Sequence, residues 1–353
     1  MGSQQRLQYI DALKGLSILC ICLIHFEDRI FPMWLNNWIA GFMISAFYIT
    51  SGWVYGLKPQ SWNHKKIFKK RLRQLGIPYL SFSIIFLIID VIFIILGHYN
   101  ISILGRDLFK TIVLRGIGTL WFLPALAFGE TVFCYIMSKR RKLFIFIVFF
   151  IISILFTYFY SEIWTPHFRN INYSYQILDG FIAPFNSVCK AWPIIIIGYF
   201  FSINFNKYFI YKPSAYYRLA MLAGGLFTIA LSILYITKLP YNLYYISYII
   251  CTLLPSIGFI MLFYALEGSW IVSFFTYWGV NSLILMCTHY SITQEICIYV
   301  NKLMTGQDHL SGWPAIAYFV LCIIITYPMV WFINKKCPYI IGKDIKRKWN
   351  LKI

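Results

Sequence analysis

Residues 6–26 read RLQYIDALKGLSILCICLIHF. From Ile10 onward the stretch is long and apolar enough to begin a membrane crossing, which takes about 20 residues at 1.5 Å each. Yet it carries an ammonium group, Lys14, near its start and an imidazole, His25, near its end. The two are eleven residues apart, and at about 100° per residue that spacing nearly closes three helical turns. Both side chains therefore share one helix face, about 16 Å apart along the axis. Asp11 stands three residues before Lys14, where it can pair with it.

The remainder of the chain has the same character. Of its 353 residues 60% are hydrophobic and only 12% are charged, against about 45–50% and about 25% in an ordinary soluble domain. The composition predicts an all-α integral membrane protein, with residues 1–353 forming one domain. Ten spans are expected, roughly at 10–27, 36–57, 77–97, 119–138, 143–160, 184–203, 216–236, 244–265, 278–300 and 313–334. No secretory cleavage signal is read at the N-terminus, so the stretch after Asp11 is taken as a retained first span. The nine cysteines lie mostly within apolar runs and form no C-x-x-C pair. They read as small buried hydrophobes rather than as a disulfide or metal framework, and no metal site is expected.

Net charge is +19. The basic residues sit in short segments between apolar runs, which argues for membrane topology rather than nucleic-acid binding. One set of alternate segments carries most of them: Arg6 and Lys14, then Lys58, Lys65, Lys66, Lys69, Lys70, Arg71 and Arg73. Lys139, Arg140, Arg141 and Lys142 follow, then Lys207, Lys212 and Arg218, and at the end Lys335, Lys336, Lys343, Lys346, Arg347, Lys348 and Lys352. By the positive-inside rule this side is cytoplasmic, so both termini are cytoplasmic and an even number of spans is required. On the other side two segments, 98–118 and 161–183, are long enough for structure of their own. The second carries Trp164, His167, Tyr173 and Tyr175, suited either to meeting a sugar or to capping the bundle.

Each ionisable residue has an ordinary reading. Lys14 alone snorkels to headgroups, and His25 alone is an interfacial residue. On one face they point inward together, because ionisable groups within membranes mark functional interiors and imidazole is the usual base near neutral pH. SAFYITSGWVYG (45–56) carries a Ser51-Gly52 pair that permits close helix packing. KKIFKKRLRQLGIPYL (65–80) places Arg71 and Arg73 before a span expected to open at Pro78, and guanidiniums at a helix start suit phosphate. TLWFLPAL (119–126) contains Trp121, which reads as an interfacial anchor. NSLILMCTHY (281–290) places His289 within the ninth span, with Glu295 six residues on. Asp90 and Glu130 are further intramembrane acids.

Together these segments resemble the acyltransferase-3 family of integral membrane acyltransferases over essentially the whole chain. The family's basic-x10-His motif corresponds to Lys14 and His25, with Asp11 before and Gly15 after. Its FFxxSGF-type segment appears as Phe47-Tyr48-Ile49-Thr50-Ser51-Gly52-Trp53, and its Arg-x-Arg as Arg71-Leu72-Arg73 followed by Pro78-Tyr79. Trp121-Phe122-Leu123-Pro124, Ile197-Gly198-Tyr199-Phe200 and Asn281-Ser282-Leu283 through His289 complete the set. The resemblance implies transfer of an acyl group, often acetyl, from acyl-CoA as co-substrate to a hydroxyl of a cell-surface polysaccharide or lipid-linked sugar. It implies His25 as base, Lys14 as its electrostatic support, and Arg71 and Arg73 as holders of the CoA phosphates. Asp11, Ser51, Trp121, Ser282 and His289 enter as motif positions. The partners implied are acyl-CoA, a saccharide acceptor and the lipid bilayer of the cell membrane. One departure stands out: Ser45 occupies a slot where many members have Asp. An acid elsewhere, Glu295 first, is the expected substitute for orienting His25. The competing class is a transporter or flippase for a lipid-linked saccharide, which ten spans with scattered charges also suit. Such proteins often show two related halves, and none are apparent here.

Overall fold

The computed structural model describes residues 7–26, 31–57, 62–208, 215–238, 244–306 and 313–343. Arg6, Lys58, Lys212, Lys346, Arg347, Lys348 and Lys352, and the side chain of Lys207, lie outside the described residues. Every regular element among the described residues is helical.

The chain begins with α1 (Gln8–Phe26), α2 (Met33–Met43) and α3 (Ser45–Gly56). It continues through α4 (His64–Arg71), α5 (Ile77–Ile95), α6 (Ser102–Ile112), α7 (Phe122–Met137) and α8 (Lys142–Tyr158). A three-residue turn, α9 (Thr165–His167), precedes α10 (Tyr173–Tyr208), α11 (Ala215–Lys238) and α12 (Tyr244–Ala265). The last elements are α13 (Trp270–Val280), α14 (Ser282–Thr288), α15 (Glu295–Thr305) and α16 (Trp313–Lys336). Among the described residues nine stretches are long and apolar enough to cross a bilayer. The expected span not among these nine, 244–265, falls on α12, whose described apolar part is Ile250–Ala265. The chain is thus an all-α membrane bundle.

Several expected boundaries move. Pro78 does not begin the third span. The helix is already running from His64, and a π turn over Leu72–Gly76 joins α4 to α5. Proline has no N–H to give a preceding turn. The widened turn absorbs that gap, with the Ile77 N–H reaching the Leu72 carbonyl. The second span is two helices, α2 and α3, meeting at Ile44. The ninth span starts at Ser282 because Asn281 separates α13 from α14. There the Asn281 amide donates to the Tyr277 carbonyl at 2.9 Å and accepts from Asn334 at 2.9 Å. Neither long outer segment is a loop. The first holds α6, and much of the second is the opening of α10, whose 36 residues reach about 54 Å, well beyond a hydrocarbon core of about 30 Å.

Glycines set the helix contacts. In lipid the surroundings are as apolar as the side chains, so helices associate through close packing at small residues. A Cβ on Gly15 of α1 would overlap the Phe275 carbonyl of α13, and one on Gly279 of α13 would overlap the Asp11 carbonyl of α1. Gly52 of α3 and Gly198 of α10 stand in the same reciprocal relation, against the carbonyls of Ile195 and Ile49. Gly225 of α11 and Gly258 of α12 form a third such pair. The outside of the bundle is apolar, as lipid requires: Leu143, Phe144, Ile151 and Leu155 of α8 are exposed, as are Leu219, Leu226 and Phe227 of α11.

These crossings give a stability prediction. Gly198→Leu drives a side chain into the backbone of α3 and should destabilise the bundle by about 3 kcal/mol or more. Gly105→Ala, with open space around its helical position, should be neutral or stabilising by up to about 1 kcal/mol. Thermal unfolding of the two detergent-purified variants beside wild type tests the contrast, and equal midpoints would refute it.

Candidate functional site

α1 runs unbroken from Gln8 to Phe26, so Lys14 and His25 do lie on one helix face. Lys14 pairs with Asp11 at 3.2 Å. At the other end of the face the His25 ring lies 5.3 Å from the His289 ring and 4.9 Å, edge-on, from Tyr290. Its main chain is fixed as well, since the Gln294 amide donates to the His25 carbonyl.

His289, Tyr290 and Gln294 all belong to a second π turn, His289–Gln294, between α14 and α15. Single π turns are frequent at functional sites because they re-aim side chains out of the α-helical register. His289 is fully buried. Its Nδ1 lies 2.7 Å from the Leu285 carbonyl, which only accepts, so Nδ1 carries the hydrogen. Nε2 is then left with its lone pair, and it is buried without a hydrogen-bond partner. An unpartnered ring nitrogen thus belongs to the imidazole that packs beside His25.

The imidazole of His25 lines a cavity of about 240 Å³ walled by Ile21, Met43, Thr119, Phe122 and Met286. A second cavity of about 640 Å³ lies beside it, and the two share Gly118, Trp121 and Tyr290 as walls. Gly118 has φ +54°, and a Cβ there would strike Ser291 and the Tyr290 ring. Glycine is what lets the chain pass this junction. Trp121 is therefore not an anchor at the lipid interface but a wall between two cavities. The larger cavity is polar on one side, where Asp90, Arg106, Lys110, Arg115 and Glu295 reach it. Neither cavity is lined by Lys14.

Glu295 faces the larger cavity and accepts from the Tyr99 hydroxyl at 3.4 Å. Among the described residues no hydrogen bond joins it to His25. Ser45, in the slot where the family often has Asp, accepts from Thr252 of α12 at 3.3 Å. Ser282 opens α14, while the polar contacts of its motif are made by its neighbour Asn281.

Arg71 and Arg73 point apart. Two residues along a helix are far from sharing a face. Arg73 is exposed, together with Lys65, Lys66, Lys69 and Lys70. Arg71 turns into the bundle, where its Nε pairs with the buried Glu130 of α7 and its Nη1 donates to Gln74 at 2.7 Å. Glu130 also accepts from the hydroxyls of Ser51 and Tyr55, the latter at 2.9 Å. Ser51 and Arg71, two separate sequence motifs, thus meet on one carboxylate. The sequence reading named Glu130 only as an intramembrane acid and did not foresee this convergence. Tyr290 and Gln294 were missed altogether, although Tyr290 directly follows His289.

The chain matches the model of the acyltransferase-3 family, described as an acyltransferase domain, over residues 7–335. It belongs to that family and is a multi-pass membrane acyltransferase. No curated protein and no solved structure matches the chain.

The Glu130 cluster carries its own prediction. Arg71→Ala leaves a buried carboxylate without its cation, a change that typically costs about 3–5 kcal/mol. Adding Glu130→Gln removes that charge and should recover at least half of the lost stability. Thermal melts of the two single variants and the double variant measure the coupling, and simple additivity would show that the pair is not energetically linked.

Proposed function

We propose that the protein is an O-acyltransferase of the cell membrane. It moves an acyl group, by family resemblance acetyl, from cytoplasmic acyl-CoA to a hydroxyl of a cell-surface polysaccharide or lipid-linked sugar. The observation that carries this reading is the placement of His25. Its ring lines a small apolar cavity against His289 and Tyr290, and that cavity shares walls with a larger polar one.

In this reading the acceptor hydroxyl lies beside His25 and attacks the thioester carbonyl. The oxygen–carbon bond forms as the carbon–sulfur bond breaks. His25 takes the hydroxyl proton and returns it to the departing thiolate, so that an ester and free CoA leave a neutral imidazole behind. His289 supports this exchange. Its Nε2 lone pair is unpartnered and its ring packs beside that of His25, and it takes the orienting role that the resemblance gives to an acid in the slot of Ser45. Trp121, Phe122 and Met286 keep water from the thioester.

The donor's phosphates fit the opposite, basic end of the bundle. There Arg73 and the lysines of α4 are exposed, while Arg71 keeps α4 against α7 through Glu130. The long pantetheine arm would then carry the thioester inward, so that donor and acceptor approach from opposite faces. Acyl-CoA is a co-substrate here, used and released at each turnover.

The test is surface O-acyl content in cells lacking the native protein, complemented with wild type, His25→Ala or His289→Ala at matched membrane levels. Wild type should restore the ester. His25→Ala should lower the rate by roughly 10²–10⁴-fold, the usual contribution of a general base. His289→Ala should lower it less and steepen its dependence on pH. Full activity of His25→Ala would remove it from the chemistry, and altered polymer export with unchanged acyl content would favour a transporter.

A further inference from the structure

Residues 337–343 follow the last helix, α16, and turn back across the basic end of the bundle. Pro338–Ile341 form a short 3-10 turn that packs against α5. The Gly342 N–H closes it on the Tyr339 carbonyl at 3.0 Å, and the Lys343 N–H on the Pro338 carbonyl at 3.0 Å. Ile341 is 4% exposed and joins the same buried core as Leu75. Leu75 belongs to the π turn Leu72–Gly76 that joins α4 to α5. The stretch is thus a strap docked on the bundle.

Two neighbouring residues make its contacts specific. Gly342 has φ +68°, a region that favours glycine. A Cβ there would overlap the Arg73 carbonyl oxygen and press on the Cα of Gln74. The strap therefore rests directly on the backbone of the π turn, at the residue that carries the exposed guanidinium. Lys343 holds the strap from its other side. Its Nζ donates to Asn334 Oδ1 of α16 at 2.6 Å. Asn334 Nδ2 donates in turn to Asn281 Oδ1 and to the Val330 carbonyl, both at 2.9 Å. Asn281 is the residue that separates α13 from α14. A continuous set of contacts thus runs from the α13–α14 break, through α16 and the strap, to the π turn of Arg73. A π turn shifts the register within a helix, so the direction of Arg73 depends on that turn staying wound as it is.

We infer that Gly342 and Lys343 are positioning residues for the donor. The strap keeps the π turn wound so that Arg71 turns inward to Glu130 while Arg73 turns outward among the lysines of α4. The inference rests on the donor half of the proposed function, in which those exposed cations meet the CoA phosphates. Its physical content is preorganisation: a guanidinium held in place loses less freedom when a phosphate arrives. Arg71 is fixed through its side chain, by Glu130 and Gln74. Arg73 is fixed through its backbone, and Gly342 is what touches it. Neither Gly342 nor Lys343 lines the His25 cavity or the larger one beside it. Their loss acts on the donor's charged head and leaves the pocket of His25 intact.

The test is isothermal titration of coenzyme A into the full-length protein in lipid nanodiscs. Arg73→Ala should raise the Kd by about tenfold, the worth of one charge-assisted hydrogen bond. Gly342→Ala and Lys343→Met should each raise it by about three- to tenfold, through lost preorganisation. Gly342→Ala added to Arg73→Ala should raise it no further, because the strap acts through that residue. A merely structural role would instead add its cost in both backgrounds. Lys343→Arg keeps a donor for Asn334 and should bind as wild type does. Lys343→Met leaves the fit of Gly342 untouched, so it carries the test where Gly342→Ala melts early. Wild-type affinity in Lys343→Met, or additive effects of Gly342→Ala and Arg73→Ala, would overturn the assignment. Failure of the donor reading shows separately, and takes the assignment with it: wild type would bind no coenzyme A, or Arg73→Ala would bind it as tightly as wild type.

Discussion

The fold depends on the close approach of helix backbones at paired glycines. Lipid offers no hydrophobic reward for bringing two helices together, so dispersion and interlocking shape must supply it. At Gly15 and Gly279, the approach of α1 to α13 leaves no room for a methyl group on either side. That crossing fixes the height and rotation of α1, and with them where its ionisable face points. The Gly52–Gly198 crossing does the same for α3 against α10. Because Ser51 and Tyr55 ride on α3, this second crossing also decides which hydroxyls reach Glu130. The polar chemistry of the bundle is placed by residues that have no side chain.

Glu130 then ties those helices together electrostatically. Its carboxylate collects donors from α3 and from the α4 segment while sitting on α7. Stripped of partners, it would be expensive at this depth. The arrangement gives Arg71 a structural duty that its motif alone does not suggest. The basic residues around it are exposed, whereas the charge of Arg71 is met by Glu130 inside the bundle.

Much of this was legible in the sequence, in a graded way. Composition and span length alone gave the all-α membrane bundle, because the bilayer allows few alternatives. The shared face of Lys14 and His25 followed from helical periodicity. The meeting of His25 with His289 did not, since sequence spacing says nothing about which helices face each other. The π turns were hidden for a different reason. A widened turn shifts the register of everything after it, so a uniform 100° per residue misplaces Tyr290, Gln294 and Glu295. Trp121 was misread because a tryptophan near a span end has the same composition signal at a lipid interface as at an internal cavity. The divergence of Arg71 and Arg73 was readable in principle. Two residues apart on any helix, they cannot form one clamp, and only the expectation of a loop there concealed it.

The bundle keeps its two charged ends apart by an aromatic layer. Phe122 lines the His25 cavity and stacks on Tyr48, with Phe47 edge-on to it. Tyr48 precedes Ser51 by three residues, one turn of α3, and Ser51 touches Glu130. Phe122 precedes Glu130 by eight residues on α7, about 12 Å. The buried ion pair and the candidate catalytic pocket are thus stacked along the same two helices, with rings between them. Such a layer admits a slender, mostly uncharged chain far more readily than a phosphate or a sugar, whose desolvation there would be severe. If a group crosses from the basic end to His25, it must be carried on an arm of that kind, with the charged head left behind among the exposed lysines.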